Sequence, residues 1–291
     1  MTHVATSDLV SAAVDNRSAV PAFNVISLDQ AEGIVAGVER AQSTAILQIS
    51  ENAIAHHGGF LEPIVAACVE LADNSLAELA IHLDHFRDPD LLTRAIQHGR
   101  RLGVSSIMVD ASYLPHAENV ERTRLCTDLA HAQGLWVEAE LGEIGGKDGA
   151  HAPGVRTDPA EAAEYVRRTG VDGLAVAVGS SHAMSSKNAQ LDQELITTIA
   201  SAVPVPLVLH GSSGVPDDGL TAAVASGMRK INIGTALNIE YTGAVRHYLD
   251  ANPAASDPRK YIREGRDAIA TLVAHLCTLL SSSAQQPAAY Q

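Results

Sequence analysis

The chain has 291 residues, 46% hydrophobic and 19% charged, enough apolar material for a full core, which excludes intrinsic disorder and a small stapled module. Its 34 Asp and Glu outnumber 20 Lys and Arg, giving a formal charge of −14; no basic stripe overrides that field, so nucleic acid is not an expected partner. The N-terminus lacks a basic region followed by an apolar run, and no stretch approaches about 18 uninterrupted apolar residues, so no membrane association is expected.

In chain order, short β-rich runs alternate with longer amphipathic segments. Strand candidates fall at 18–24, 44–50, 78–84, 105–110, 135–140, 172–178, 205–210 and 229–233, and helical patterns at 28–41, 60–73, 88–102, 116–133, 159–169, 191–202, 217–226 and 236–250. Eight such βα units close most simply into a single α/β (β/α)8 TIM barrel over 1–281, with a C-terminal helical extension at 258–281. A doubly wound open sheet would need a glycine-rich turn after the first strand, where Asn24-Val25-Ile26-Ser27 stands instead. Asp158-Pro159 and Pro216-Asp217 read as capped helix starts. The irregular stretch 141–157 reads as a mobile active-site loop and 282–291 as a disordered tail. Cys68, Cys126 and Cys277 are far apart in helical patterns, which suits small buried hydrophobes in a reducing compartment and hence a cytoplasmic location.

A barrel of this kind gathers its chemistry at the C-terminal ends of the strands. Polar residues stand at all of them: Asn24, Ser50, Asp84-His85, Asp110, Glu138 and Glu140, Ser180-Ser181-His182, His210-Gly211-Ser212-Ser213 and Asn232. Most of the 13 histidines have ordinary structural readings: His56 and His57 in a Gly-flanked loop, His98 and His131 near helix ends, His275 in the last helix, and His82 pointing into the barrel. His85, His182 and His210 differ because they close the third, sixth and seventh units and so converge on one mouth. Three neutral imidazoles leave a cation its full charge and open positions, which points to zinc in a catalytic site. Asp84 is placed either to shuttle a proton or to orient an imidazole. Asp110 and Glu140 are open to a second cation position or to structural roles in the mouth. Lys147, Lys187 and Lys230 read as loop or turn residues, which disfavours a Schiff-base lysine. The segments His210-Gly211-Ser212-Ser213-Gly214 and Asn232-Ile233-Gly234-Thr235 end the last two strands, where barrels hold phosphate on backbone N–H groups and a helix N-terminus.

These residues resemble the class II, metal-dependent ketose-bisphosphate aldolases, most closely the tagatose-bisphosphate aldolase branch. The resemblance is carried by His82-Leu83-Asp84-His85, Val137-Glu138-Ala139-Glu140-Leu141-Gly142 with Gly145-Gly146, Leu209-His210-Gly211-Ser212 and Lys230-Ile231-Asn232-Ile233, and it runs from Val20 to Arg259. It implies zinc held by His85, His182 and His210, with Asp110 and Glu140 as an alternative position and Asp84 as the proton donor. It further implies substrate contacts from Gly211, Ser212, Ser213, Asn232, Ile233, Gly234 and Thr235, with Asn24 near the triose and Ser50 also in the substrate site. Arg259 matches a residue that reaches the distal phosphate of a neighbouring subunit, which implies a homodimer or homotetramer. Two departures stand out: Ala183 follows His182 where glycine is common, and Asp148 replaces a catalytic Glu in the loop.

The implied reaction is reversible cleavage of tagatose- or fructose-1,6-bisphosphate to dihydroxyacetone phosphate and glyceraldehyde 3-phosphate, so the expected partner is a small sugar phosphate. Gly234, where some fructose-selective relatives carry an acid, leans the reading to tagatose. Zinc is the expected cofactor, with a monovalent cation as an open second one. Alternative readings are an aldolase for another ketose phosphate, such as a 5-dehydro-2-deoxygluconate phosphate, and a non-catalytic sugar-phosphate-binding barrel. A metal hydrolase would start with a His-x-His pair on the first strand, which is missing.

Overall fold

A computed structural model describes residues 2–141, 156–180 and 187–281. Eight strands, β1 Val20–Asn24, β2 Ala45–Ser50, β3 Leu79–Phe86, β4 Ser106–Val109, β5 Trp136–Glu140, β6 Gly173–Ala175, β7 Leu207–Leu209 and β8 Met228–Ile233, pair in parallel and in chain order. β1 also pairs with β8, Pro21 opposite Ile231, which closes the barrel. The eight-unit barrel expected from the alternation is therefore the fold. β6 and β7 are shorter than the runs 172–178 and 205–210. Pro204 and Pro206 lack the N–H a ladder needs, so β7 begins only at Leu207, and β6 pairs with it through Leu174 and Ala175.

The helices are α1 Thr6–Asp15, α2 Leu28–Arg40, α3 Glu51–His56, α4 Glu62–Asn74, α5 Pro89–His98, α6 His116–Ala132, α7 Pro159–Thr169, α8 Gln193–Ala202, α9 Asp217–Ser226, α10 Thr235–Ala251 and α11 Pro258–Ser281. Asp158 caps α7 as its sequence suggests, its carboxylate accepting from the N–H groups of Ala160 and Glu161 at 2.9 and 3.0 Å. The Pro216-Asp217 start is not capped in this way. Asp217 is already inside α9 and turns its carboxylate to Lys187 and His275.

Two helices have no counterpart in the sequence reading. α3 places His56 in a helix rather than a loop, and it starts where Ser50 Oγ accepts from Ala53 N–H at 3.2 Å. α1 plugs the barrel floor: Leu9 and Val10 pack on Val20, Ala22, Ile46 and Ala80, while Thr6 Oγ1 lies 2.8 and 2.6 Å from the hydroxyls of Ser105 and Ser106. Trp136 also packs against this inner cluster, over Gly173, where any Cβ would overlap its ring.

The main core lies outside the sheet, between the strands and the helical ring. α11 completes that ring by docking on α2, and two glycines permit the approach: a Cβ on Gly37 would stand 2.6 Å from Ala270 O and Val273 Cβ, and one on Gly33 would stand 2.8 Å from Arg266 O. Cys68 and Cys277 are buried and free, and burial pushes both thiols up to about 12. No helix among the described residues is long and apolar enough to cross a membrane.

Because the α2–α11 contact leaves no room for a side chain, Gly37→Val should lower the unfolding free energy by about 1–3 kcal/mol through overpacking. The urea midpoint read by circular dichroism checks this, and an unchanged midpoint would show that the two helices separate without strain.

Candidate active site

Side chains on a strand point alternately to its two faces, so neighbours such as Asp84 and His85 should diverge. β3 breaks this rule at its end. Its register against β4 shifts between Leu83 and Phe86, and His85 takes a φ of +53°, a left-handed conformation that costs a Cβ-bearing residue about 1–3 kcal/mol. The result is that both side chains line one cavity of about 430 Å³ at the C-terminal mouth.

Asp84 is 3% exposed. Its Oδ2 accepts from Asn24 Nδ2 at 2.9 Å. Its Oδ1, 3.9 Å from His85 Nε2, is buried with no hydrogen-bond partner among the described residues. His85 Nδ1 lies 3.0 Å from Asp110 Oδ2, so it donates there and the ring is oriented from behind. Across the mouth His210 Nε2 lies 2.8 Å from Glu138 Oε1, and its Nδ1 lies 3.8 Å from Glu140 Oε2. The two rings stand 4.8 Å apart. One ligand atom from each of His85, Glu140 and His210 lies within 4.8 Å of the others. Two imidazoles, each steadied from behind by a carboxylate, and a carboxylate oxygen form a donor set suited to a divalent transition ion.

The electrostatics follow from this crowding. Burial alone would lower the His85 pKa, but the carboxylates of Asp84, Asp110 and Glu140 outweigh it and raise it to about 9. Asp110, although buried, is held well below the usual carboxylate range by His85, Ser112 and Arg87. Its Oδ1 accepts from Ser112 N and Oγ at 3.2 and 2.7 Å, and its Oδ2 from Arg87 Nε at 2.6 Å.

Beneath the mouth lies a polar layer that the sequence reading missed. Lys230, read there as a turn residue, is fully buried inside the barrel on β8. Its ammonium sits 2.8 Å from Glu138 Oε2, 2.7 Å from Asn232 Oδ1 and 3.3 Å from Gln48 Oε1. Gln48 Nε2 in turn donates to Asn24 Oδ1 at 2.8 Å. His82 also points inside, its Nδ1 2.8 Å from Ser106 Oγ; burial, then Lys230, keep it well below its ordinary pKa. The signal for Lys230 was present in the alternation of β8, where it lies two residues before Asn232.

At the far side of the mouth, Gly211 takes a φ of +67° to open the turn Ser212–Gly214. Ser212 Oγ donates to Asn232 O at 2.6 Å, and Ser213 Oγ accepts from Ala236 N–H at 3.0 Å. The first N–H groups of that turn and of α10 have no acceptor within their own helices. Gly234 is required by a close approach, since a Cβ there would lie 2.9 Å from Asn24 Oδ1. Asn24, Ser50, Gly211, Ser212, Ser213, Asn232, Gly234 and Thr235 all line the cavity. Ile233 does not: its side chain is buried in the outer core, so only its backbone belongs to this turn. Arg259 stands in the first turn of α11, its side chain 87% exposed and paired to Asp257, away from this mouth. His182, Ala183 and Asp148 lie outside the described residues. Arg87, Asn52 and Asn238 line the cavity too; the sequence pattern did not single them out because they lie beyond the strand ends.

A closed parallel barrel whose mouth carries this carboxylate and imidazole set belongs to a recognisable class. Residues 4–285 match the family fructose-bisphosphate aldolase class-II, and the chain belongs to that family of carbon–carbon lyases, which act on small-molecule sugar phosphates. It is 31% identical to the YdjI aldolase of Escherichia coli K12, with a TM-score of 0.81 over 97% of this chain and 98% of that one. A candidate fructose-1,6-biphosphate aldolase from Coccidioides immitis is 28% identical, with a TM-score of 0.83 over 96% of both chains. Fructose-bisphosphate aldolase from Campylobacter jejuni shares the fold at 22% identity, with a TM-score of 0.79 over 94% of this chain and 93% of that one.

The buried pair beneath the mouth generates a stability prediction. Lys230→Ala leaves the buried Glu138 carboxylate without its ammonium partner at Oε2, with only His210 at Oε1, which should cost about 3–5 kcal/mol. Adding Glu138→Gln should recover part of that loss in thermal unfolding; a fully additive double variant would show that the two groups are not coupled.

Proposed function

We propose that the chain is a zinc-dependent aldolase that reversibly cleaves a ketose 1,6-bisphosphate, with tagatose favoured over fructose, to dihydroxyacetone phosphate and glyceraldehyde 3-phosphate. The observation that carries this reading is the broken alternation that turns Asp84 and His85 into one mouth, with the His210 ring 4.8 Å from that of His85. His85 and His210 would hold the ion, with His182 as the third imidazole. When bound, the ion supplies Lewis-acid polarisation of the ketose carbonyl.

The remaining steps belong to the chain's own side chains. Asp84, anchored at Oδ2 by Asn24 and open at Oδ1, takes the C4 hydroxyl proton in cleavage and returns it to the aldehyde in synthesis. Asn24 cannot swing away because Gln48 holds its other end. Asp110 is committed to His85, Arg87 and Ser112 and so serves to orient His85, while Glu140, facing His210, is the better alternative ligand. The turns at Gly211–Ser213 and Asn232–Thr235 receive the C1 phosphate on backbone N–H groups; Ala183 is assigned a further substrate contact, and so is Ser50 at the end of β2. Asp148 is assigned the C3 proton. Arg259, free of its own mouth, reaches the site of a neighbouring copy in a homodimer or homotetramer of the cytoplasm.

A panel of ketose mono- and bisphosphates assayed for triose release, with and without a chelator, tests the reading. Cleavage should vanish on metal removal and return with Zn²⁺; the same assay with and without K⁺ reads any monovalent requirement. Activity that survives complete metal removal would overturn the zinc assignment, and binding without cleavage would identify a non-catalytic barrel.

Two variants assign the proton transfers. Asp84→Ala should reduce kcat by about 10²–10⁴-fold, the range for a positioned acid–base group, with bound zinc per chain unchanged by elemental analysis. Asp148→Ala should slow turnover far more than it raises KM, and unchanged turnover would remove Asp148 from the mechanism.

A further inference from the structure

We propose that Arg87, within the same chain and in addition to the Arg259 assigned to a neighbouring copy, selects the aldehyde half of the substrate by binding a negatively charged group at the end of the chain distal to the scissile bond. The proposal rests on the aldolase reading for the direction in which the substrate lies.

Among the described residues lining the mouth, Arg87 is the one lysine or arginine. Its guanidinium is held from two sides: Nε donates to Asp110 Oδ2 at 2.6 Å, and the Tyr113 ring lies under it with the centroid 5.7 Å from Cζ. Its backbone is anchored separately, the N–H donating to Glu51 Oε2 at 2.7 Å. A guanidinium offers five N–H donors, and Nε alone is used within the described residues. The side chain is 53% exposed, so the terminal fork is available to a ligand in the orientation that suits a carboxylate or phosphate. Glu51, which also lines the cavity, already accepts from the N–H groups of both Arg87 and Asp88 through its Oε2.

The placement gives the fork its role. In the closed order β1 to β8, β3 stands opposite β7. Arg87 follows the end of β3, whereas the phosphate-type turns follow β7 and β8. Asp84 and His85, at the end of β3, line the same cavity as both. A ketose phosphate held by its C1 phosphate at Gly211–Ser213 and Gly234–Thr235, and reacting above Asp84, extends its remaining carbons toward Ser50, Asn52 and Arg87. An anionic terminus there meets a pre-oriented cation, and a neutral terminus does not.

A merely structural role for Arg87, holding Asp110 and through it His85, would affect all substrates alike, so the test is a comparison across tails. The zinc-loaded wild type and Arg87→Gln are assayed with three ketose 1-phosphates that end in a phosphate, a carboxylate or a neutral hydroxymethyl group. Loss of one charge-assisted contact should cost the charged tails at least about tenfold more in kcat/KM than the neutral tail, chiefly in KM. Arg87→Lys should restore the phosphate tail better than the carboxylate tail, since a point charge replaces the fork; which charged tail the wild type prefers identifies the natural terminus. Equal losses on all three tails, or none, would overturn the proposal. The same three compounds titrated by calorimetry into both proteins read the preference without turnover. A wild type that binds them but cleaves none would refute the aldolase reading, while a charged-tail preference that disappears in Arg87→Gln would still support the role of Arg87, and equal affinities would refute it.

Discussion

A fully buried ion pair inside the barrel ties the two halves of the mouth together. Lys230 bonds Glu138, which holds His210, and it bonds Gln48, which holds Asn24 and through it Asp84. The Asp84 carboxylate and the His210 imidazole are therefore referred to a single ammonium group. A buried pair of this kind gives little net stability because desolvation consumes most of the attraction. Its contribution here is geometric: each member has several partners, so none of the side chains above it can rotate independently.

Much of the fold was legible because a parallel barrel writes a regular alternation of short β-branched runs and amphipathic helices. All eight strands fell where that alternation put them, and the strand-end rule located Asp84, His85 and His210 without any tertiary information. What escaped was local or long-range. α1 has no preceding strand to announce it and owes its stability to the floor it covers. The bulge at the end of β3 leaves no composition signal; adjacent Asp84 and His85 in a strand read as opposite-facing until the register shift is seen. Lys230 escaped because a lysine in a strand is usually an exposed one, and only the placement of Glu138, many residues away in sequence, makes a buried one tolerable.

The chain's −14 formal charge sits oddly with an anionic substrate until the mouth is considered by itself. Two of the nearby carboxylates are spent on inward contacts, Asp110 on His85, Arg87 and Ser112, and Glu138 on Lys230 and His210, while Asp84 and Glu51 line the cavity itself. The turns after β7 and β8 present hydroxyls and backbone N–H groups to the cavity, and the segment after β3 adds the Arg87 guanidinium. The overall field acts at a distance, repelling polyanions, whereas a small ligand meets these individual groups at short range.

The helix that plugs the floor acquires a second meaning in this light. Charged groups in the middle of a barrel attract one another strongly only while water is kept away, and the mouth must stay open to admit substrate. The closed end therefore falls to α1, whose Leu9 and Val10 stand between bulk solvent and the layer of Lys230, Glu138 and His82. α1 works as a dielectric seal. Loosening it would let water rise from below and weaken the pairing beneath Asp84 and His210, a change imposed at the far end of the molecule without displacing any residue of the mouth.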